Sequence, residues 1–336
     1  MGQNWLRTYV MRAGQKGKTG IIIGNTSNST SDCLRICFSV EKANTETPNS
    51  AKIQIWNLSN ASIKILETKN CEVELKAGYN GDNALIIVGT VTSAVTTLDN
   101  ADRMTELTVV DGFVALRDAV ISVSKKGKVN SKTIYTLIAQ AMGLSIVYGS
   151  NVKFRNIAKG FSYAGKGKNA LQKIAKANKH NWTIQNGVIQ VYNPNKYFGK
   201  RAYELSTNTG LIGMPHKITI DAGNNKSVTG YEVEYFLNGA IGVNDQVTVV
   251  SKKVNGTFYV NKVTLDGDNM GGDWICKAEL VRNKITTKKA TTKKTTKKTT
   301  KKKAKKSTKK KTTKKKQATA KLVRVVDAYA VLRSVK

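Results

Sequence analysis

Gly160 to Gly167, GFSYAGKG, carries the glycines and the lysine of a phosphate-binding loop, G-x-x-x-x-G-K-[ST], and stands just before a helical stretch. In such a loop, backbone N–H groups cradle phosphates, the lysine reaches the outer ones and a hydroxyl holds magnesium. Here the hydroxyl position is Gly167, so the motif fails where its chemistry lies, and the stretch reads as a flexible basic loop. Gly17-Lys18-Thr19 supplies the other half of the motif, but Arg12 stands where its first glycine belongs. Asp266 to Asp273, DGDNMGGD, spaces its carboxylates like a calcium loop. Its fifth ligand position is Met270, and its twelfth, where a bidentate glutamate belongs, is Lys277. It reads as an acidic turn between two strands.

The chain has two histidines, His180 and His216, in different predicted domains, so no Ser-His-Asp or Cys-His order can be built on them. Cys33 and Cys37 lie about 13 Å apart in an extended strand, too far for a disulfide. With Cys71 and Cys276 they read as free thiols made in a reducing cytoplasm. A zinc site on Cys33 and Cys37 would lack two ligands. No acidic pair stands out for glycoside hydrolysis. No catalytic residue, cofactor site or metal site is assigned, and the chain reads as a non-enzyme.

The net charge of the 336 residues is +34. Eighteen lysines and no acidic residue occupy 284–316, and about +16 is left, spread over the rest. The tract can bind polyanions by counterion release, and Lys293, Lys294, Lys301, Lys302, Lys309 and Lys310 are its candidate contacts. DNA or an anionic wall polymer would serve as a nonspecific partner. No aromatic residue interleaves the tract, so base stacking is not provided for. The same composition describes a self-repelling, extended linker.

These residues must be carried by a mainly β chain. In Pro48 to Ser59, PNSAKIQIWNLS, a turn leads into Ala51, Ile53 and Ile55 alternating with Lys52, Gln54 and Trp56, then into a helix start. Leu34, Ile36, Phe38 and Val40 alternate as well, and Gly89 suggests a bend or bulge within a strand. The spacing predicts helices after Ser131 and around Leu171, each followed by a strand, and Asn186-Gly187 marks a hairpin. Five strands are expected between 201 and 283. The predicted domains are 1–117 (first β-barrel), 118–200 (α/β), 201–283 (second β-barrel), 284–320 (disordered Lys/Thr-rich linker) and 321–336 (short apolar segment). The fold class is therefore mainly β with an α/β insertion, two small β-barrels flanking a helix–strand domain, followed by a disordered tail. The start, MGQNWLRTYVMRAGQKGK, lacks the apolar core of a signal peptide. No run approaches the roughly 20 apolar residues of a membrane span, so no membrane insertion is expected.

The order TPNSAKIQIWNLS, GYNGDNALIIVGTV, GKGKNALQKIAKANKHNWTIQNGVIQVYN, TGLIGMP (Thr209 to Pro215) and GTFYVNKVTLDGDNMGGDWICKAEL resembles the baseplate hub proteins of contractile phage tails. These form the family related to late control protein D, whose fold also forms the base of type VI secretion spike proteins. The resemblance covers roughly residues 1–283. It implies a homotrimer of two-barrel subunits, a ring of pseudo-sixfold symmetry joining the tail tube protein to the spike protein. The place implied is the virion tail baseplate, with assembly in the host cytoplasm. Ile53, Ile55 and Trp56 are then core of the first barrel, and Gly210, Gly213 and Pro215 lie in a turn joining the middle domain to the last barrel. Two other readings are a wall-targeting or wall-degrading tail protein that grips the cell wall through its basic tail, and a nucleic-acid-binding protein.

Overall fold

The computed structural model describes residues 6–24, 33–150, 152–193, 198, 202–221 and 227–282. The Lys/Thr tract, with Lys293, Lys294, Lys301, Lys302, Lys309 and Lys310, and the final apolar segment lie outside the described residues. A first β segment holds β1 (Arg7–Gly14), β2 (Ile21–Gly24), β3 (Ile36–Ala43), β4 (Ser50–Trp56), α1 (Asn60–Leu66), β5 (Glu72–Tyr79), β6 (Asp82–Asp99) and β7 (Asp102–Val110). The insertion holds α2 (Phe113–Arg117), β8 (Val120–Lys125), β9 (Val129–Asn130), α3 (Ser131–Ala141), β10 (Ser145–Tyr148), β11 (Asn156–Ile157), β12 (Phe161–Lys166), α4 (Gly167–Asn178), β13 (Asn181–Gln185) and β14 (Val188–Tyr192). The last segment holds β15 (Ala202–Ser206), a 3-10 turn (Thr207–Thr209), β16 (Leu211–Asp221), β17 (Ser227–Phe236), β18 (Gln246–Val250), β19 (Asn255–Asp268) and β20 (Trp274–Val281). The architecture is mainly β with an α/β insertion.

Local chemistry accounts for the element borders. Ser59 caps α1, its Oγ accepting from the Ser62 N–H at 3.1 Å, and Ile63 and Leu66 turn inward. Asn80 and Gly81 both take positive φ, 51° and 84°. That is the two-residue turn that matches the twist of the β5–β6 hairpin. Asn186 and Gly187 do the same between β13 and β14, at 53° and 74°.

The two β segments form one 13-stranded sheet. Its main path runs β16-β17-β20-β19-β3-β4-β7-β6-β5-β1-β2, with β15 and β18 attached through β19. The seam is the antiparallel pair β3–β19, from Cys37 opposite Asp268 to Ala43 opposite Lys262. For four strands outward from the seam the order is the same on both sides. A hairpin (β3–β4, or β19–β20) is followed by a second hairpin entered through its later strand (β7–β6, or β17–β16). The inward faces merge into a single core that includes Ile36, Phe38, Ile53 and Leu107 from one side and Val233, Phe258, Val263 and Trp274 from the other. In β19 a register shift between Val260 and Lys262 moves the inward set from Phe258 and Val260 to Val263 and Leu265, the effect expected of one extra residue.

The insertion has its own core. Ile134, Tyr135 and Ile138 of α3 and Leu171, Ile174 and Ala175 of α4 pack with Trp182, Ile184, Ile189 and Val191. Phe161–Lys166 is a strand paired antiparallel with β8, which corrects the expectation of a loop there. Gly167 has a packing reason: a Cβ there would lie 2.6 Å from Met142 Cγ, so α4 can pass close to α3.

Candidate assembly surfaces

Ile53 and Ile55 are fully buried. Trp56 is buried too, but strand alternation puts it on the opposite face from them. Its Nε1–H donates to Asp99 Oδ2 at 3.0 Å, and the Arg35 guanidinium lies 4.5 Å from its ring centroid. Gly210, Gly213 and Pro215 sit within the last β segment, not at its border, because β15 upstream already pairs with β18. Gly210 closes the 3-10 turn at φ 104°. In the β16–β17 ladder the register jumps between Ile212 and His216, so Gly213, Met214 and Pro215 face Val233 alone. A bulge suits both residue types, since Gly213 takes φ 63° and proline has no N–H to give a ladder.

A buried polar cluster fastens the insertion to the first β segment. Asp111, just past β7, accepts from the backbone N–H groups of Asn186 and Gly187, the latter at 2.8 Å. Asn49 Nδ2 donates to Gln185 Oε1 at 2.9 Å and to the Ile184 carbonyl at 3.1 Å. Gln185 Nε2 in turn donates to the Ala43 carbonyl at 3.2 Å. The hairpin turn of the insertion is thus held by groups at the ends of β3, β4 and β7.

The long strand β6 changes partner along its length. Asp82 to Thr90 pair with β5, and Thr90 to Asp99 pair with β7. Gly89 sits at the switch, where a Cβ would lie 2.8 Å from both Val109 Cγ1 and the Val110 carbonyl oxygen. Among the described residues, 92–99 have a strand partner on one side only. Val95 is 53% exposed and Leu98 81% exposed, and no charged residue occurs between Val91 and Leu98. Natural edge strands are usually blunted by lysine, proline or bulges. This one ends in an acidic turn instead. An open groove of about 260 Å³ runs beside it, lined by Glu67, Lys69, Thr92, Phe113 and Arg117 among others.

Burial pushes the Cys37 thiol up to about 11 and the Cys276 thiol up to about 12, so neither is a thiolate near neutrality. His180 is stacked on Tyr135, with Nδ1 3.2 Å from the Tyr135 hydroxyl. Asp268 in the acidic turn accepts from Arg35 Nη2 at 2.8 Å. Among the described residues no group of three or more His, Cys, Asp or Glu side chains is placed to hold a metal ion.

The basic surplus is concentrated, which corrects the expectation that it is spread. Residues 119–193 contain eleven lysines, one arginine and no aspartate or glutamate. Residues 1–118 balance twelve basic against twelve acidic residues, and 194–283 ten against nine.

No protein-family model and no curated protein matches the chain. Solved structures do. The 43 kDa tail protein of prophage MuSo2 from Shewanella oneidensis matches with a TM-score of 0.54 at 12% identity, covering 82% of this chain and 98% of that one. This is the fold of a phage baseplate hub. A tail protein from Neisseria meningitidis MC58 shares the hub fold at a TM-score of 0.52 and 11% identity, covering 81% of this chain and 96% of its own. The E. coli c3393 protein shares it at 0.51 and 9% identity, with coverages of 74% and 73%. That protein is described as a component of the type VI secretion system with structural similarity to T4 bacteriophage tail proteins gp27 and gp5. In the hub fold of this chain, the mirrored strand order supplies two alike β units, and the outer half of β6 leaves a strand edge open.

Proposed function

We propose that this chain is a structural subunit of the baseplate hub in a contractile phage tail or a tail-derived bacteriocin. Three copies form a ring whose six β units meet the sixfold tail tube on one side and the threefold spike on the other. The role is assembly and symmetry adaptation in the virion tail, without turnover. The carrying observation is the shared fold with two tail proteins, which this chain spans almost end to end.

Two features of the chain support the trimer. The strand order repeated outward from the β3–β19 seam gives each subunit two comparable faces, so a threefold ring presents six. The open β6 edge offers backbone N–H and C=O groups that a neighbouring subunit can pair with.

The test is the mass of the full chain in solution, alone and with tail tube and spike proteins. A stable species of three chain masses, or a ring formed with tube protein, is the expected result. A monomer that stays monomeric at high concentration and takes up neither tube nor spike protein overturns the reading.

A further inference from the structure

The surface of the α/β insertion has a charge pattern that the assembly role does not use. Its twelve cations, Lys125 to Lys179, are all exposed. None takes part in the ion pairs of the described residues, which join Arg12, Lys52, Lys76 and others to carboxylates of the β segments or within α2 and its cap. A folded surface of 75 residues with one sign of charge holds a concentrated counterion layer, and a polyanion displaces it favourably.

The positions of these cations are built. β8 and β12 form a two-stranded ribbon with Val120 opposite Lys166, Ser122 opposite Ala164 and Ser124 opposite Ser162. These six residues are the exposed face, and the other face, with Ile121 and Val123, enters the insertion core. The outer face is therefore a strip of small side chains. Lys126 and Lys128 lie just past one end, with Lys125 exposed at that end on the face of Ile121 and Val123, and Lys166 and Lys168 lie at the other. The two groups stand about 17–20 Å apart along the strand. Beside the ribbon, Lys173 Nζ lies 5.7 Å from the Tyr163 ring centroid, which holds that ammonium in place. Lys132 is held likewise over Tyr148, at 5.6 Å.

We propose that this ribbon face binds the phosphate backbone of duplex DNA. A ribbon faced with Ser, Ala and Val is narrow enough to enter a major groove about 12 Å wide. Its lysine groups then meet phosphates on the two walls of the groove, and the serine hydroxyls donate to further phosphate oxygens. Lysine without arginine, and small residues without Asn or Gln, give backbone contact with little base readout. An extended two-stranded strip with cations at both ends matches a stiff, regular polyanion better than a flexible one. The proposal does not rest on the hub reading, because a monomer would bind DNA through the same face.

The experiment compares the full chain with a full-chain variant carrying Lys125→Gln, Lys126→Gln, Lys166→Gln and Lys168→Gln. Both keep the Lys/Thr tract, so the tract's own affinity is common to the two. Binding to a duplex of about 20 bp is measured between about 50 and 200 mM salt. The variant is expected to bind about tenfold more weakly at the upper salt, with a log–log salt slope shallower by up to about 3.6, near 0.9 for each of the four lost phosphate contacts. Lysine labelling of the unaltered chain is read in parallel, so the proposal stays testable if the variant folds poorly. Duplex should protect Lys125, Lys126, Lys166 and Lys168 but not Lys52 or Lys252. An unchanged slope with no protection of the insertion lysines overturns the proposal and leaves the tract as the only DNA contact. Equal protection by polyphosphate at the same charge concentration also overturns it, in favour of a site for flexible polyanions.

Discussion

Phe38 of β3 and Trp274 of β20 meet edge to face, ring centroids 5.4 Å apart, across the seam that joins the two β units. Trp274 also donates its Nε1–H to the Gly78 carbonyl at 3.2 Å, and its own carbonyl accepts from Leu237 N at 3.0 Å. The side chain thus ties β20 to β3 and β5 of the first unit, while the backbone of the same residue holds the chain just past β17. Replacing Trp274 by Ala should cost about 3–5 kcal/mol. The two β units should still unfold together in one transition in denaturant, since their core is continuous. Two resolved transitions would show that the units fold independently. Gly267→Ala tests the same contact from its backbone side. A Cβ there would lie 2.3 Å from Phe38 Cζ and 2.9 Å from Trp274 Cε3, and the overpacking should cost about 1–3 kcal/mol.

Asp111 should report on the joint between insertion and β sheet. Its two carboxylate oxygens take the N–H groups of Asn186 and Gly187. An amide in its place offers one oxygen and turns an NH2 group toward the other donor. Asp111→Asn should therefore cost about 1–3 kcal/mol. Hydrogen exchange should quicken at Asn186 and Gly187 and stay unchanged in the β3–β19 ladder. Burial outweighs these donors and pushes the carboxyl above its ordinary value. The folded state then holds the proton more tightly than the unfolded one, so this group's contribution is largest in acid and is lost as pH rises through its folded value. The variant should lack that component of the pH profile.

Lys42 gives the opposite signature at alkaline pH. It continues the inward row Ile36, Phe38 and Val40 and is 5% exposed. Burial lowers its pKa from 10.5 to about 8. Above the unfolded value both states are neutral and there is no penalty. As pH falls toward 8 the unfolded chain gains a proton that the folded chain resists, and stability is lost. Stability should thus rise by about 3 kcal/mol between pH 8 and 10.5 on this account. Lys42→Met, which keeps the length and removes the charge, should flatten that rise in denaturation curves taken across the range.

Much of this architecture was legible from alternation. Ala51, Ile53 and Ile55, the helix faces of α3 and α4, and the Asn186-Gly187 turn are local signals with local causes. The β3–β19 seam has none, since pairing between residues more than 200 positions apart leaves no mark at either strand. Pro215 and its neighbours looked like a border because a strand bulge and an inter-domain turn use the same residues, glycine and proline. The glycine-lysine run 160–167 misled for a similar reason. Gly167 answers to Met142 in space, a contact no spacing rule encodes. The open half of β6 was hidden as well, because Val91 to Leu98 reads as an ordinary strand until its missing neighbour is seen.

That strand edge gives the most direct test of assembly. Val95 and Leu98 are exposed, and 92–99 lack a second strand partner among the described residues. Lysines placed there act as natural edge strands do, repelling an incoming strand. The double change Val95→Lys and Leu98→Lys should leave the unfolding midpoint of the monomer unchanged within about 0.5 kcal/mol, as for surface sites elsewhere. It should abolish the proposed trimer in sedimentation at the concentrations where the unaltered chain is expected to associate. A trimer that survives both lysines would move the subunit interface away from β6. Threefold association would then have to rest on another edge of the sheet, β16 or β2, where Met214 and Ile22 are also exposed.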